Sequence, residues 1–150
     1  MKQVDQMMKE AITDEVFPGG VLLLATTLAV MQLVSQHKLR LDQDLGSVLP
    51  RLYNSEKARI TLKQLLCHTS GLCDYRPYYE SLDKLPRNRR KDALREFLVS
   101  EPLINPPGTK VLYSDLGFML LNWVVLLILT QSPGTCNLPL PSVVHGGTLL

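Results

Sequence analysis

The sequence has few of the residues that build disulfide frameworks or metal sites. Its 150 residues include three cysteines, and this odd, sparse number predicts no disulfide framework and fits a reducing compartment. Cys67, His68 and Cys73 match no common zinc-ligand spacing, and no second pair of ligands follows them. We therefore expect neither a bound metal ion nor another cofactor.

An excess of charge of one sign is also lacking. The chain has 16 Lys and Arg against 14 Asp and Glu, a net charge of +2. The one basic cluster, residues 87–91, has no interleaved aromatic residues and no basic domain around it. We interpret it as the solvated start of a helix after Pro86 and expect no nucleic-acid partner.

Apolar runs long enough for a membrane span, about 20 residues, are not clearly present. Residues 16–36 carry no charge, but one proline, two glycines and several polar residues weaken them as a span. Residues 116–129 are more apolar and shorter. We expect both runs to be buried core, with membrane association as an alternative. Since no basic region precedes an apolar core at the N-terminus, no signal peptide is expected, which predicts a cytoplasmic location.

The periodicity of apolar residues predicts a mainly helical chain. Residues 1–15 have the pattern of an amphipathic helix, and residues 26–36 that of a helix apolar nearly all round, which we expect inside the protein. Residues 21–24 fit either a strand or a helix. A strand there would meet the next helix without turn residues, so either one helix runs through residues 21–36 or an intervening segment has been lost.

The middle of the chain predicts short helices joined by irregular segments. Thr61, followed three residues later by Gln64, is typical of a capping box for a helix over residues 62–68, and Gly71 is placed to end that helix. The other predicted elements are a loop with one helical turn (residues 39–50), an irregular segment (74–90), a helix (91–100) and a poorly ordered tail (131–150).

Residues 105–121 combine a turn, an extended run and a helix start. Asn105 to Gly108 predict the turn, residues 110–113 the extended run, and Ser114 the cap of a helix whose body is residues 116–129. The Tyr113-Ser114-Asp115 corner between them is of the kind that directs side chains into a cleft.

Four blocks carry a resemblance to a known family: VFPGGV (16–21), TTLAVMQLV with KLRLD (26–34 and 38–42), ITLKQLLCHTSGL (60–72) and PGTKVLYSDLGF (107–118). Together they resemble the serine β-lactamase and penicillin-binding-protein superfamily, in particular its β-lactamase-related serine hydrolases. The resemblance covers about residues 1–125. It implies an α+β fold in which a sheet built from both chain ends packs against a helical region.

The family's domain is longer than this chain, so the resemblance predicts a partial domain at residues 1–130. This domain would be dominated by the helical region, with at most one or two short strands, and residues 131–150 would form a non-matching tail. Because the later strands of the family's domain are missing, apolar helix faces would lose part of their cover, and we expect the chain to self-associate.

The resemblance implies three catalytic elements: Ser-x-x-Lys at a helix start, Tyr-x-Asn or Ser-x-Asn on the facing wall, and Lys/His-x-Gly on a late strand. The second element matches here. Tyr113 and Asp115 occupy the family's Tyr-x-Asn positions, with Asp where Asn is usual. Tyr113 would assist proton transfer to and from a serine nucleophile, and the carboxylate beside it opposes ionisation of the phenol. The alternative is that Tyr113 is a packed aromatic and Ser114 or Asp115 only caps the helix.

The other two elements do not match where the family has them. Ser-x-x-Lys should open the helix that contains residues 26–34, but only apolar residues precede it, which suggests a deletion between about Leu23 and Thr26. Ser35 to Lys38 has the same spelling but lies at the helix end, where the dipole does not favour negative charge. His145 to Gly147 spells His-x-Gly within the non-matching tail, so neither string is predicted to act.

The resemblance therefore predicts a degenerate, internally deleted serine hydrolase. The family transfers the acyl group of a β-lactam, peptide or ester to serine and then hydrolyses it, so the family partner is a small-molecule acyl substrate. We expect this chain to be inactive because the nucleophile is missing. The alternatives are a non-catalytic helical interaction module or a membrane-associated fragment. Family members are often exported.

Overall fold

The charge-free segment near the N-terminus forms one continuous helix. The computed structural model describes residues 18–130, with side chains described from Leu23 onward. In this part of the chain the α-helices are α1 (Pro18–Ser35), α2 (Leu45–Val48), α3 (Leu62–Leu66), α4 (Tyr78–Leu82), α5 (Arg87–Ser100) and α6 (Asp115–Thr130). Two 3₁₀ turns, Pro50–Leu52 and Glu56–Arg59, lie between α2 and α3. Between residues 18 and 130 no β-strand forms, and Asp44 and Thr61 make an isolated antiparallel bridge.

The core lies between α1, α3 and α6. Val30 and Leu33 of α1 are buried in it, together with Leu120, Leu121 and Val124 of α6. Burying a side chain of this size contributes roughly 1.5–3 kcal/mol, so the apolar face of α6 is a main source of stability. Because α6 begins at the Tyr113 corner, this packing also fixes the position of the candidate site.

The structure decides between the two interpretations of residues 21–36 but corrects one expectation. A single helix runs through the segment, so the alternative of a strand at residues 21–24 is wrong. Complete burial of the segment is also wrong, since Leu24, Leu28 and Met31 are 43%, 60% and 44% exposed. Their four- and three-residue spacing places them on one face of α1, whereas Val30 and Leu33 are buried. We call Leu24, Leu28 and Met31 the α1 stripe.

Some predictions fall outside the described residues. These are the helix over residues 1–15, the tail over residues 131–150 and its His-x-Gly string. The division of the chain at residue 130 therefore stays a prediction. Among the helices of residues 18–130, none has the length and apolar character that crossing a bilayer requires.

Helix α3 begins as predicted and ends earlier. The N–H of Gln64 donates to Oγ1 of Thr61 at 3.2 Å, and the N–H of Thr61 donates to Oε1 of Gln64 at 2.9 Å, which confirms the capping box. The helix ends at Leu66 because His68 takes a left-handed conformation with φ of 56°. The N–H of Thr69 then donates to the carbonyl of Gln64 at 2.8 Å, closing a Schellman motif. The prediction that Gly71 ends this helix is wrong.

The segment predicted as irregular contains more helix than expected. Helix α4 lies within it, and α5 begins at Arg87, directly after Pro86 and earlier than the predicted start at residue 91. The basic cluster therefore forms the solvated first turn of a helix, as its interpretation required. The Arg90 guanidinium bridges back to Asp83 at 3.0 Å.

Two irregular loops, residues 67–77 and 101–114, lie side by side and carry the candidate site. We call them the site loops. The N–H groups of Leu112, Gly108 and Ile104 donate to the carbonyls of His68, Thr69 and Gly71 at 2.8, 2.7 and 2.9 Å. Of these bonds, only that of Leu112 involves residues 110–113, and it does not form the regular ladder of a sheet, so the predicted extended run does not become a strand.

Candidate functional site

Ser114 joins the two site loops and caps α6. Its Oγ accepts a hydrogen bond from the N–H of Gly117 at 3.3 Å, which confirms the predicted cap. Its hydroxyl donates to the carbonyl of Cys73 at 2.6 Å, and its N–H donates to Nδ1 of His68 at 3.2 Å. The two bonds of the hydroxyl commit the buried side chain of Ser114 to structure. The hydroxyl is therefore not free to act as a nucleophile.

Tyr113 and Asp115 flank this cap and contact each other. The Tyr113 hydroxyl donates to Oδ1 of Asp115 at 2.8 Å, and the Tyr113 side chain is about half exposed. Partial burial and this hydrogen bond to a carboxylate raise the pKa of Tyr113 to about 12. At neutral pH the phenol is therefore protonated and bonded to a group that opposes its ionisation.

Asp115 is held by the other site loop. Its N–H donates to the carbonyl of Asp74 at 2.9 Å. As the first residue of α6, Asp115 lies where the helix dipole favours a negative charge. The sequence-predicted pair is therefore brought together at the start of α6.

His68 is the neighbour of Tyr113 that the sequence did not single out. Its ring packs at a tilt against the rings of Tyr113 and Phe118, with centroid distances of 4.7 and 5.4 Å. Because Nδ1 accepts the Ser114 N–H, a neutral imidazole here carries its proton on Nε2. Burial lowers the pKa of His68, and the nearby Asp115 opposes this in part. From the sequence His68 was considered only as a metal ligand, although it lies in the specific block at residues 60–72.

Two hydroxyl groups of α1, those of Thr27 and Ser35, are bonded to the helix's own backbone. Thr27 Oγ1 donates to the carbonyl of Leu23 at 2.8 Å, and Ser35 Oγ donates to the carbonyl of Gln32 at 2.8 Å. Thr26 is buried. Ser35 is the last residue of α1, so its position at the helix C-terminus, inferred from the sequence, is confirmed.

Three open grooves of about 370–390 Å³ within residues 18–130 are lined by residues outside the Tyr113 corner, and none of these three includes Tyr113. Across residues 18–130, no three His, Cys, Asp or Glu side chains cluster as metal ligands would. The site is thus an exposed Tyr113–Asp115 wall backed by His68 and the buried Ser114.

Comparisons with known proteins show which family this chain resembles. The family model described as Beta-lactamase matches residues 24–132. The chain is 34% identical over 128 residues to Penicillin-binding protein 4 of Amycolatopsis lactamdurans, covering 80% of this chain and 32% of that protein. It is 26% identical over 134 residues to Protein flp of Staphylococcus aureus strain MRSA252, covering 87% of this chain and 26% of that protein.

Two further similarities agree with these. The N-acetylmuramyl-L-alanine amidase of Bacillus subtilis strain 168 is 32% identical over 111 residues, which is 69% of this chain and 25% of that protein. A crystal structure from Bacteroides dorei DSM 17855, whose assignment as a β-lactamase is itself provisional, superposes with a TM-score of 0.54 at 25% identity. This match covers 74% of this chain and 32% of the solved chain.

The extent of the matches bears on the fold. The chain spans about a quarter to a third of the length of these relatives. The largely helical structure of residues 18–130 agrees with the predicted partial α+β domain. The chain belongs to the Beta-lactamase family of hydrolases, within the serine β-lactamase and penicillin-binding-protein superfamily.

Proposed function

We propose that this chain is a non-acylating member of its family, which keeps part of the catalytic wall without the nucleophile. The observation that carries the proposal is the composition of α1. Its only serine is Ser35, at the last position, and no Ser-x-x-Lys opens the helix. Without a serine hydroxyl presented at a helix start beside a lysine, the family's covalent step has no attacking group.

The state of Tyr113 supports the same proposal. A general base that works near neutral pH needs a pKa near that pH. Tyr113 is far from this condition, because partial burial and the Asp115 hydrogen bond raise its pKa to about 12. A cationic lysine that would reverse this effect is part of the element that α1 does not contain. Tyr113 thus acts in this chain as a hydrogen-bonding surface.

The ligand class follows from the family and not from a pocket. A β-lactam, a peptide or an ester is the small-molecule acyl compound that family members take. Such a compound would lie against Tyr113 and Asp115 and leave unchanged. The penicillin-binding and amidase names of two relatives agree with this class.

Covalent labelling tests the proposal. The purified chain is incubated with a fluorescent penicillin and, separately, with a fluorophosphonate, and intact mass is recorded. We expect no adduct, while Penicillin-binding protein 4 of Amycolatopsis lactamdurans serves as the positive control for the penicillin. Ser35→Ala serves as the matched variant. An adduct on the wild-type chain that disappears in Ser35→Ala would overturn the proposal and identify Ser35 as a nucleophile.

The α1 stripe supports a second candidate function, a helical interaction module. Three large apolar side chains on one helix face are solvent-exposed, and such surfaces mark interaction sites or associate with themselves. This candidate needs no catalytic residue. It predicts self-association of the purified chain. The cytoplasmic location and the alternative of membrane association stay predictions from the sequence.

A further inference from the structure

Glu101 is a buried carboxylate on which several polar groups converge. It follows α5 directly and opens the second site loop. Its side chain is 8% exposed. Oε1 accepts hydrogen bonds from Nε of Arg76 at 2.9 Å and from the Cys73 thiol at 3.4 Å. Nη2 of Arg76 lies 2.8 Å from the same oxygen and completes the ion pair. Oε2 accepts one from the Tyr78 hydroxyl at 2.6 Å.

The donors come from the first site loop and the helix start that follows it. Cys73 and Arg76 lie in residues 67–77, and Tyr78 opens α4. The carbonyl of Glu101 also accepts a hydrogen bond from the buried Lys57 ammonium. One residue therefore ties the start of the second site loop to the end of the first, at a point outside the Tyr113 corner.

A short path of contacts leads from Glu101 to that corner. Cys73 meets Glu101 through its thiol, and its carbonyl accepts the Ser114 hydroxyl at 2.6 Å. The next carbonyl, that of Asp74, accepts the Asp115 N–H at 2.9 Å. The backbone of residues 73 and 74 is thus held on one side by Glu101 and on the other by the residues that flank Tyr113.

We infer that Glu101 is a positioning residue, which holds the two site loops together and thereby sets the geometry of the Tyr113–Asp115 wall. The inference goes beyond the absence of acylation, because it concerns what keeps the wall in place. It is independent of whether any serine in the chain reacts.

The contacts that hold the two site loops together depend on the negative charge of Glu101. Hydrogen bonds to a buried carboxylate are stronger than neutral ones, and removing the charge leaves Arg76 facing a neutral group. The other charged or titratable groups around the carboxylate are Lys57, Cys73 and Tyr78, with Glu56 beyond Lys57 and Asp74 beyond Cys73. Although burial opposes it, the hydrogen bonds from Tyr78, Arg76 and Cys73 lower the pKa of Glu101, so the group is ionised at neutral pH.

Amide hydrogen exchange on the full chain tests the inference in Glu101→Gln. The amides of Ser114 and Asp115, which bond to His68 and Asp74, report on the wall, and the amides of α1 report on global opening. We expect exchange at Ser114 and Asp115 to accelerate by about tenfold or more while the α1 amides change much less. A loss of global stability alone would accelerate the two sets equally. Glu96→Gln is the matched control, because Glu96 lies in α5, five residues before Glu101, in an exposed ion pair with Arg51.

A second variant covers the case in which Glu101→Gln does not fold. Tyr78→Phe removes the hydrogen bond to Oε2 and keeps the ring that stacks on Phe97 at 5.1 Å. We expect the same local acceleration at Ser114 and Asp115, with a smaller magnitude. Unchanged exchange at these two amides, or an equal change in α1, would overturn the inference. Neither result depends on covalent labelling, so the proposed function can fail separately.

Discussion

The hydroxyl of Tyr113 donates a 2.8 Å hydrogen bond to the carboxylate of Asp115, two residues along the chain. This pair forms across the start of α6, because Ser114 between them points inward to the carbonyl of Cys73. The same contact that orders Tyr113 also stabilises its protonated form. The contact therefore favours the protonated phenol of Tyr113, and the residue at position 115 affects the pKa of that phenol.

Replacing Asp115 with Asn tests this dependence. We expect the pKa of Tyr113 to fall from about 12 and to stay above its ordinary value, since partial burial, the largest single cause of the increase, remains. The measurement is a pH titration of the Tyr113 ring carbon by NMR in tyrosine-labelled protein. Asp74→Asn is the control, because the Asp74 side chain accepts a hydrogen bond from the Tyr75 N–H and none from Tyr113. An unchanged Tyr113 pKa in Asp115→Asn would contradict the assignment.

The close approach of the site loops at Gly71 predicts a large effect of adding one carbon atom. Gly71 has φ of +82°, and a Cβ there would collide with the carbonyl oxygen of Asn105. We expect Gly71→Ala to lower the free energy of unfolding by more than ~2 kcal/mol, since left-handed backbone alone costs an L-residue roughly 1–2 kcal/mol. Urea unfolding followed by circular dichroism measures this.

Gly108→Ala separates the cost of left-handed backbone from the cost of the steric contact expected at Gly71. Its φ of +83° is nearly the same, but its added Cβ would meet only the end of the Gln64 side chain at 3.2 Å. We expect a loss of about 1 kcal/mol, from the backbone conformation alone. Equal losses in the two variants would show that the contact with Asn105 is not tight.

Local signals in the sequence predicted the elements that depend on local bonds. The capping box of Thr61 and Gln64, the cap at Ser114 and the apolar helix that follows it all involve residues within a few positions of each other. The position of His68 beneath Tyr113 could not be predicted in this way, because it depends on two loops far apart in the sequence. Burial on α1 was overestimated for a related reason. Its composition is apolar on every face, but in the described part of the chain only some faces meet a neighbour.

Two histidines end helices in the left-handed conformation, and they predict different outcomes on mutation to glycine. His37 and His68 both have φ of 56° and follow α1 and α3. His37 is exposed, so His37→Gly should raise the free energy of unfolding by about 1 kcal/mol by relieving backbone strain. His68→Gly relieves the same strain but removes the ring contact with Tyr113 and the acceptor of the Ser114 N–H, so no net gain is expected. Urea unfolding of both variants checks this, and a gain of equal size in both would contradict a structural role for His68.

The buried carboxylate of Glu101 predicts how stability depends on pH. Its pKa is lowered in the folded protein from an ordinary value of 4.5. The stability contributed by the ionised group is therefore fully present above about pH 4.5 and is lost as the pH falls through the lower, folded-state pKa. Glu101→Gln should remove part of this acid dependence in urea unfolding measured between pH 7 and pH 3. An acid dependence in Glu101→Gln identical to that of the wild type would contradict the prediction.

The α1 stripe predicts self-association of the chain. A substitution at Leu28, the middle residue of the stripe, tests this prediction. Leu28 is the most exposed of the three stripe residues, at 60%. A charge at its position would have to be desolvated in any contact between apolar helix faces, so Leu28→Lys should shift sedimentation velocity profiles toward the monomer. Tyr53→Lys is the matched control, since Tyr53 is 62% exposed and lies outside α1. If both variants weaken association equally, net charge and not the stripe governs it, and if neither does, the stripe is not the contact surface.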